Sequence, residues 1–303
     1  MEIFKRYAGN PVLKPNPFHD WEALNVFNAA IVYYNGLFHM LYRAQGCDYV
    51  SYIGYAVSED GYNWSRLDKP VLCPANEFET RGVEDPRITM FDGKFYMTYT
   101  AYSPIGVRVS MAESENLITW KRLGILIPDE NNKDTALFPQ KIGGRYCLLH
   151  RREPDIWLAY SDDLLHWTDH EKIMGPVANT WEHTKIGISG PPMLTEQGWL
   201  LIYHGVDQGK VYRQGVALLD LANPAKVKGR CGMPILEPDE PWEIKGDVPN
   251  VVFSCGQAIK EGVVYLYYGG ADRVMAVATA PLEDLLKLVS SGAGPERIQA
   301  QRK

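Results

Sequence analysis

Stretches in which apolar and polar residues alternate recur along the whole chain, and each follows a turn that contains glycine. Alternation with a period of two is the pattern of a β-strand that buries one face, and a glycine turn before it is typical of a hairpin. The pattern therefore predicts five hairpins, whose marker glycines are Gly36, Gly93, Gly144, Gly198 and Gly262.

A second strand of small residues follows each of the first three hairpins and ends in an acidic turn. These copies occupy 54–64, 111–120 and 158–167, and weaker copies occupy 216–224 and 277–282. Repeats of roughly 50 to 60 residues built from short strands are typical of propeller blades and not of a sandwich. The sequence thus predicts an all-β fold, a five-bladed β-propeller that forms a single domain over residues 1–303.

The pattern predicts one helix, at about 282–289, where leucines recur at helical spacing, and a loose tail over 290–303. Three similar segments, 10–15, 69–74 and 233–238, combine prolines with two apolar residues and fit outer strands or linkers between blades. We expect the N-terminal copy to complete the last blade and to close the ring.

Composition narrows the class of protein further. With 303 residues, of which 46% are hydrophobic, the chain can bury a large core. It has no run of about 18 apolar residues and no apolar signal segment, so we expect a cytoplasmic protein without a membrane partner. The net charge of −6 argues against a nucleic-acid partner. Five widely spaced cysteines without a CxxC pair predict neither disulfides nor a zinc site.

Two acidic and two basic side chains surround Pro86 in the segment 81–89. Proline restricts the preceding residue to an extended conformation, so the Asp85 side chain should be aimed in one direction. A carboxylate beside Arg87 would stay ionised, whereas one that faces a sugar-filled cleft keeps a proton and acts as a general acid. A surface turn with an internal salt bridge is equally compatible with this segment alone.

Aligning the five repeats on their glycines gives three sets of equivalent positions. One set in the second strand is Arg43, Thr100, Arg151, Gly205 and Gly269. The set just before it is Tyr42, Tyr99, His150, His204 and Tyr268. The set at the start of each repeat is Asn28, Asp85, Phe138, Gly190 and Asn250. In a propeller the first strand of each blade lines the central channel, so these segments should converge on one pocket.

Six motifs occur in a fixed order along the chain. They are GVEDPR at 82–87, LFPQKI at 137–142, LHR at 149–151, KIG at 185–187, LIYHGV at 201–206 and YYGGAD at 267–272. Together they resemble the β-mannoside phosphorylases of glycoside hydrolase family 130. The resemblance implies a five-bladed propeller and an inverting phosphorylase. Such an enzyme cleaves mannobiose or β-manno-oligosaccharides with inorganic phosphate and releases α-mannose 1-phosphate.

The same resemblance implies roles for individual residues, with Asp85 as the general acid. The pair that would hold the mannosyl unit is Arg43 and Asp272. The residues that would bind phosphate are Arg151, Lys185 and His204. Further substrate-binding candidates, in segments expected to line the same pocket, are Asn28, Glu84 and Arg87.

Phosphorolysis needs fewer carboxyl groups than inverting hydrolysis, because phosphate is already an anionic nucleophile. One acid and a cradle of cations suffice, and arginine and lysine suit that cradle. No cofactor or metal is expected, since inorganic phosphate is the co-substrate. Family members similar to this sequence pass the proton through a sugar hydroxyl, and whether this chain does so stays open. A histidine in the cradle would make the reaction sensitive to pH near neutrality.

Two other functions remain compatible with the sequence. A β-mannosidase on the same fold would need a second carboxylate, for which the candidates are Glu84, Glu153 and Asp155. A glycan-binding propeller without catalysis would give no reason to gather cations near Asp85. The cations therefore favour the phosphorylase over both alternatives.

Linkage, substrate length and oligomeric state stay open. The apolar face of the terminal helix fits either its own chain or a neighbour in a homo-oligomer. Candidates for stacking on a sugar ring, in loops that do not repeat, are Tyr102, Trp181 and Tyr212. Residues at repeat positions that we expect to pack between blades are Trp64, Trp120 and Trp167.

Overall fold

The computed structural model describes residues 3–290, which form an all-β fold with two short α-helices and one 3-10 turn. The predicted all-β class is confirmed. After a two-residue strand, β1 (Lys5–Arg6), and the 3-10 turn Asp20–Glu22, the strands form four sheets. The largest sheet contains two antiparallel units joined by one parallel pair, Ser51 with Gly82, so we describe the strands as five antiparallel units, numbered one to five below. All but the first residue of the predicted tail at 290–303 lies outside the described residues.

The bounds of the strands follow the predicted repeats. Unit one holds β2 (Asn25–Tyr34), β3 (Leu37–Gln45), β4 (Ser51–Ser58) and β5 (Ser65–Arg66). Unit two holds β6 (Gly82–Phe91), β7 (Lys94–Ser103), β8 (Gly106–Ser114) and β9 (Lys121–Ile125). Unit three holds β10 (Lys133–Leu137), β11 (Tyr146–Arg152), β12 (Asp155–Ser161) and β13 (Thr168–Met174).

The last two units differ slightly from this pattern. Unit four holds β14 (Lys185–Ile188), β15 (Met193–Thr195), β16 (Gly198–Val206), β17 (Tyr212–Leu219) and β18 (Val227–Arg230). Unit five follows helix α1 (Pro241–Ile244) and holds β19 (Val252–Lys260), β20 (Val263–Gly270) and β21 (Val274–Pro281). Both β14 and β15 pair with β16, so the first strand of unit four is broken in two.

Four of the five predicted hairpins turn through two residues with positive φ. In unit one these are Asn35 and Gly36, with φ of +50° and +78°. Such a turn matches the twist of the flanking strands, and glycine adopts it without strain. Unit four departs from this pattern, because its turn lies at 196–197 and β16 starts at the glycine itself. Its second strand is therefore displaced by one residue relative to the others.

The hydrophobic core is divided into clusters that lie between consecutive units. Four of these clusters each join one unit to the next, from units one and two through to units four and five. A further cluster joins unit five back to unit one, where Phe38 and Met40 pack with Tyr267 and Val277. Burial of apolar surface on both faces thus fixes each unit between two neighbours.

A buried triad of tyrosine, glutamate and arginine recurs in four units. In unit two, Tyr99 Oη donates to Glu79 Oε1 at 2.8 Å, and Arg122 donates to both carboxylate oxygens at 3.0 and 2.9 Å. The other triads are Tyr42–Glu22–Arg66, Tyr203–Glu182–Arg230 and Tyr268–Glu243–Arg6. Each triad ties the second strand of a unit to the segment before the unit and to its outermost strand.

The outermost strand of unit five comes from the other end of the chain. β1 pairs antiparallel with β21, with Lys5 opposite Thr279, and Arg6 supplies the arginine of the last triad. The three similar proline segments also form equivalent pairs, Leu13 with Met275, Ile53 with Leu72 and Leu236 with Gln214. We predicted that the segment 10–15 completes the last unit, but the outermost strand is β1, at Lys5–Arg6, and the segment 10–15 pairs with β21 only through the isolated bridge of Leu13 with Met275.

Helix α2 (Leu282–Ser290) forms where the leucine spacing predicts a helix. It buries Leu285 and Val289 against the core cluster between units four and five, so its apolar face packs on its own chain. Between residues 3 and 290, no helix is long and apolar enough to span a membrane.

Candidate active site

Three units present a polar residue at an irregularity in their first strand. The pairing register shifts at Asn28 in β2, at Asp85 in β6 and at Asp134 in β10, and these residues have φ of +49°, +51° and +54°. Asparagine and aspartate tolerate this left-handed conformation better than most residues. The extended conformation that we predicted for Asp85 is therefore wrong, because the bulge overrides the bias imposed by Pro86.

The bulges in β2 and β6 bring together four of the predicted site residues, Asn28, Arg43, Glu84 and Asp85. Asp85 Oδ1 accepts hydrogen bonds from Asn28 Nδ2 at 2.9 Å and from Arg43 Nη1 at 3.1 Å. Arg43 Nη2 donates to Glu84 Oε1 at 2.6 Å, and Arg43 Nε donates to Ser51 Oγ at 2.9 Å. Within residues 3–290, Asp85 Oδ2 has no hydrogen-bond partner. One oxygen is therefore fixed, and the other can meet a ligand.

The carboxyl groups of this cluster differ in acidity. Burial alone would raise the pKa of Asp85, but the charges of Arg43, Lys133 and Arg87 hold this pKa below its ordinary value. Burial raises the pKa of Glu84, although Arg43 opposes the shift. Asp85 is consequently ionised in the free protein, whereas Glu84 retains a proton to a higher pH.

Asp272 carries a third carboxyl group with a shifted pKa near Arg43. It lies with φ of +51° in the turn between β20 and β21. Burial raises the pKa of Asp272 to about 7; the charge of Arg43 opposes this rise, and the charges of Asp85 and Asp247 add to it. The sequence gives no sign of this shift, because it depends on groups brought together from units one, two and five.

A second cluster forms around Asp134, which is almost fully buried. Its Oδ2 lies 2.6 Å from Arg151 Nη1 and 3.6 Å from His204 Nε2, and its Oδ1 lies 3.3 Å from Arg87 Nη2. Burial would raise the pKa of Asp134, but Arg151, Arg87 and the other nearby cations lower it well below its usual range. A permanent negative charge thus holds two of the predicted phosphate ligands, Arg151 and His204.

Lys185, the third predicted phosphate ligand, joins this cluster through Glu153. Lys185 Nζ lies 3.3 Å from Glu153 Oε1, and Arg151 Nη2 lies 3.8 Å from Glu153 Oε2. The neighbouring Arg152 points elsewhere, since it pairs with Glu130 at 2.7 Å and covers the ring of Trp157. Alternation along β11 therefore singles out Arg151 as the arginine of the site.

His204 differs in two ways from the sequence-based expectation. Tyr203, not His204, occupies the position of the other triad tyrosines, and His204 is equivalent to Arg43 and Arg151 because of the one-residue displacement of β16. Burial, together with Arg151 and Arg87 against the opposing charge of Asp134, lowers the pKa of His204 to about 3. In the free protein the imidazole is neutral near pH 7, so the expected pH sensitivity does not come from this residue.

Arg87 lies behind the site and does not face its open side. Its guanidinium donates to the backbone oxygens of Ser189, Asp85 and Ile188 at 2.6, 2.9 and 3.0 Å, in addition to Asp134. The predicted contact of Arg87 with substrate does not fit this arrangement. Arg87 instead connects Asp85 to Asp134 and thereby couples the two clusters.

Sequence reasoning missed Asp134 and its neighbour Lys133. Phe138 takes the position of Asp134 in the sequence alignment because Phe138 precedes a proline, as Asp85 does. A signal in the sequence identifies the set Asn28, Asp85 and Asp134. It is an aspartate or asparagine that lies eight residues before the marker glycine in units one and two and ten residues before it in unit three. Lys133 contributes a positive charge that lowers the pKa of both Asp85 and Asp134. The largest lowering charge is that of Arg43 at Asp85 and that of Arg151 at Asp134.

The candidates for stacking on a sugar separate in the structure. Trp181 packs on Tyr203 and donates its indole N–H to Gly232 O at 3.1 Å, so it belongs to the core of unit four. Tyr102 lies under Arg81 near the surface, and Tyr212 packs beside His204. Among residues 3–290, no group of three His, Cys, Asp or Glu side chains is placed to hold a metal ion.

We expect the raised pKa of Asp272 to appear in the stability of the protein. Burial disfavours the ionised form of Asp272 in the folded state. The free energy of unfolding should therefore fall as pH rises from about 4 to about 7 and then level off. Asp272→Asn keeps the left-handed turn but cannot ionise, so it should remove this decline, worth about 2 kcal/mol between about pH 5 and pH 8. Urea unfolding of both proteins across this range is the measurement, and parallel curves would contradict the assignment.

The chain is similar to known proteins over nearly its whole length. Residues 4–291 match the model of glycoside hydrolase family 130, described as β-1,4-mannooligosaccharide phosphorylase. The chain is 51% identical to a 1,2-β-oligomannan phosphorylase of Thermoanaerobacter sp. (strain X514), over 93% of this chain and 98% of that protein. A β-1,2-mannobiose phosphorylase of the same organism is also 51% identical, over 92% of this chain and 97% of that protein.

A solved structure is similar over nearly the whole chain. It is the β-1,2-mannobiose phosphorylase from Listeria innocua in complex with β-1,2-mannobiose. Its TM-score is 0.89 at 30% sequence identity, and the match covers 96% of this chain and all of that one.

Proposed function

The chain belongs to glycoside hydrolase family 130, and we propose that it is an inverting phosphorylase that cleaves β-mannosides with inorganic phosphate to give α-mannose 1-phosphate. The observation that carries the proposal is one carboxylate with a free oxygen, Asp85, coupled through Arg87 to a cluster of cations around Arg151. An acid for the leaving group and a cradle for an anionic nucleophile are the two parts that phosphorolysis requires.

In this proposal the cluster around Asp85 binds the mannosyl unit. Arg43 and Asp272 hold the sugar, and Asn28 and Glu84 keep Asp85 and Arg43 in position. Asp85 must carry a proton when the glycosidic bond breaks, although its pKa is low in the free protein. Bound sugar excludes water from Asp85, which favours the neutral acid. Glu84 and Asp272, whose pKa values are raised, retain protons to a higher pH than ordinary carboxyl groups do.

Phosphate would bind at the second cluster. Arg151 and Lys185 supply positive charge, and both ring nitrogens of the buried His204 have no hydrogen-bond partner among the described residues. A neutral imidazole donates one N–H, so His204 can donate to a phosphate oxygen without being charged. The positive charge of Lys133 acts on Asp85 and on Asp134 and adds to the attraction of an anion.

We propose that the five units are the blades of a five-bladed propeller forming one domain, supported by core clusters that join every unit to the next and unit five to unit one. Classification as a glycosyltransferase of the phosphorylase type follows from the transfer of mannose to phosphate. A cytoplasmic setting is supported by five free cysteines, as expected where thiols stay reduced. No cofactor is needed for this chemistry.

The proposal is tested by incubating the protein with mannobiose isomers with and without inorganic phosphate and measuring mannose 1-phosphate. We propose β-1,2-linked mannosides as the preferred substrates, supported by the two relatives that are 51% identical. Mannose 1-phosphate should form only when phosphate is present, and faster from the β-1,2 isomer than from the β-1,4 isomer. Free mannose formed at the same rate without phosphate would identify a β-mannosidase instead, and binding without cleavage would identify a glycan-binding protein.

A further inference from the structure

Glu153 bridges two of the cations that would bind phosphate. It lies in the turn between β11 and β12, and its two carboxylate oxygens face different partners, Oε1 towards Lys185 Nζ at 3.3 Å and Oε2 towards Arg151 Nη2 at 3.8 Å. These are its only polar contacts among the described residues. A carboxylate in this place presents two anionic oxygens to the same donors that a phosphate would use.

The two acidic residues that contact Arg151 differ in how firmly they are held. The Asp134 side chain is 1% exposed and also contacts Arg87 and His204, so it cannot leave its place without stranding buried charges. The Glu153 side chain is 58% exposed and can turn into water. Exchange of an anion at this site can therefore involve Glu153 and not Asp134.

We propose that Glu153 is an internal competitor for phosphate, which occupies the cradle in the free enzyme and is displaced when phosphate binds. This inference rests on the proposed function, because it takes the cradle as the phosphate site. Because Glu153 pairs with Arg151 and Lys185, it competes with other anions for these cations and lowers the apparent affinity for phosphate. It therefore sets the phosphate concentration at which the enzyme works, while leaving the mannoside subsite unchanged.

The charge of Glu153 is removed without changing its size in Glu153→Gln. Exposed ion pairs of this kind contribute up to about 1 kcal/mol, so the KM for phosphate should fall by about two- to fivefold. The KM for mannose 1-phosphate in the synthetic direction should fall by the same factor, and the KM for the mannoside should stay constant. Glu113→Gln is the matched control, because Glu113 bridges Lys94 and Lys121 at 3.2 Å each and is not part of the site.

A double-mutant cycle separates competition from a merely structural role. In a Lys185→Ala background one of the two cations held by Glu153 is absent, so Glu153→Gln should have a smaller effect on the KM for phosphate. If Glu153→Gln does not fold, Glu153→Ala is assayed with the same expectation. As a check without sugar, inorganic phosphate alone should raise the melting temperature of Glu153→Gln more than that of the unmodified enzyme.

Two outcomes would overturn the inference. An unchanged KM for phosphate would show that Glu153 does not compete, and an increased KM would show that it holds Arg151 and Lys185 in place for phosphate. Phosphate dependence of the unmodified enzyme is measured first. If cleavage proves independent of phosphate, the proposed function fails before any variant is assayed, so the two failures are distinguishable.

Discussion

Replacing Asp85 by asparagine should lower turnover by about 10² to 10⁴-fold, the usual contribution of a positioned general acid. The amide keeps the shape of the side chain but cannot deliver a proton. Folding should be preserved, because asparagine already adopts the same left-handed bulge conformation at Asn28 in the neighbouring unit. Activity is measured as release of mannose 1-phosphate, and affinity for the mannoside is measured separately by calorimetry.

Glu84→Gln is the comparison for this variant. Glu84 accepts a hydrogen bond from Arg43 at 2.6 Å but, among the described residues, shares no hydrogen bond with Asp85's other partner, Asn28. Its loss should weaken the positioning of Arg43 and reduce turnover less than the loss of Asp85. If Asp85→Asn kept more than about a tenth of the activity while Glu84→Gln lost nearly all of it, Glu84 would be the acid.

Removing one cation of the cradle should raise the KM for phosphate strongly and the KM for the mannoside much less. A hydrogen bond to a charged group is worth about 1.5 to 3 kcal/mol, so the expected increase for Lys185→Ala is roughly 10- to 150-fold. Arg151→Ala should have an effect at least as large. The KM for mannose 1-phosphate in the synthetic direction should rise by the same factor, because both directions bind the same phosphoryl group.

The two cradle variants need different controls. Arg151 is buried against Asp134 at 2.6 Å, so its removal leaves a buried carboxylate with fewer partners and should also lower the free energy of unfolding. Lys185 is more exposed and should not affect stability to this extent. Arg152→Ala is the control for the arginine, since Arg152 pairs with Glu130 on the other face of the strand. An equal loss in Arg152→Ala and Arg151→Ala would remove the support for the cradle.

The repeats and hairpins were predictable because they depend on residues that are adjacent in sequence. Alternation of apolar residues and an Asn-Gly or Asp-Gly pair define both the strands and the turn, as at Asn35 and Gly36. Unit four shows the limit of this reasoning. Its turn lies one residue away from the position that Gly198 suggested, so His204 was aligned with the tyrosines although Tyr203 forms the triad.

The site was less predictable because its energetics depend on residues from different units. Asp85 and Arg43 were identified by motif, but the bulge that turns Asp85 towards Arg43 is a property of strand pairing. Asp134 was missed because a longer loop shifted its distance from the marker glycine. The acidity of Asp272 and His204 depends on burial and on charges from other units, neither of which a single segment reveals.

The pairing of β1 with β21 affects the order in which the units can fold while the chain is being synthesised. About 270 residues separate Lys5 from Thr279, so β1 leaves the ribosome long before its partner β21. At 5–20 residues per second, β1 waits roughly 15 to 55 seconds for its partner. During this time units one to four can form as neighbours emerge, but unit five cannot be completed. Completion of unit five therefore waits for the synthesis of β21, and a nascent chain that stalls before residue 274 leaves β1 without its partner and its edge unpaired.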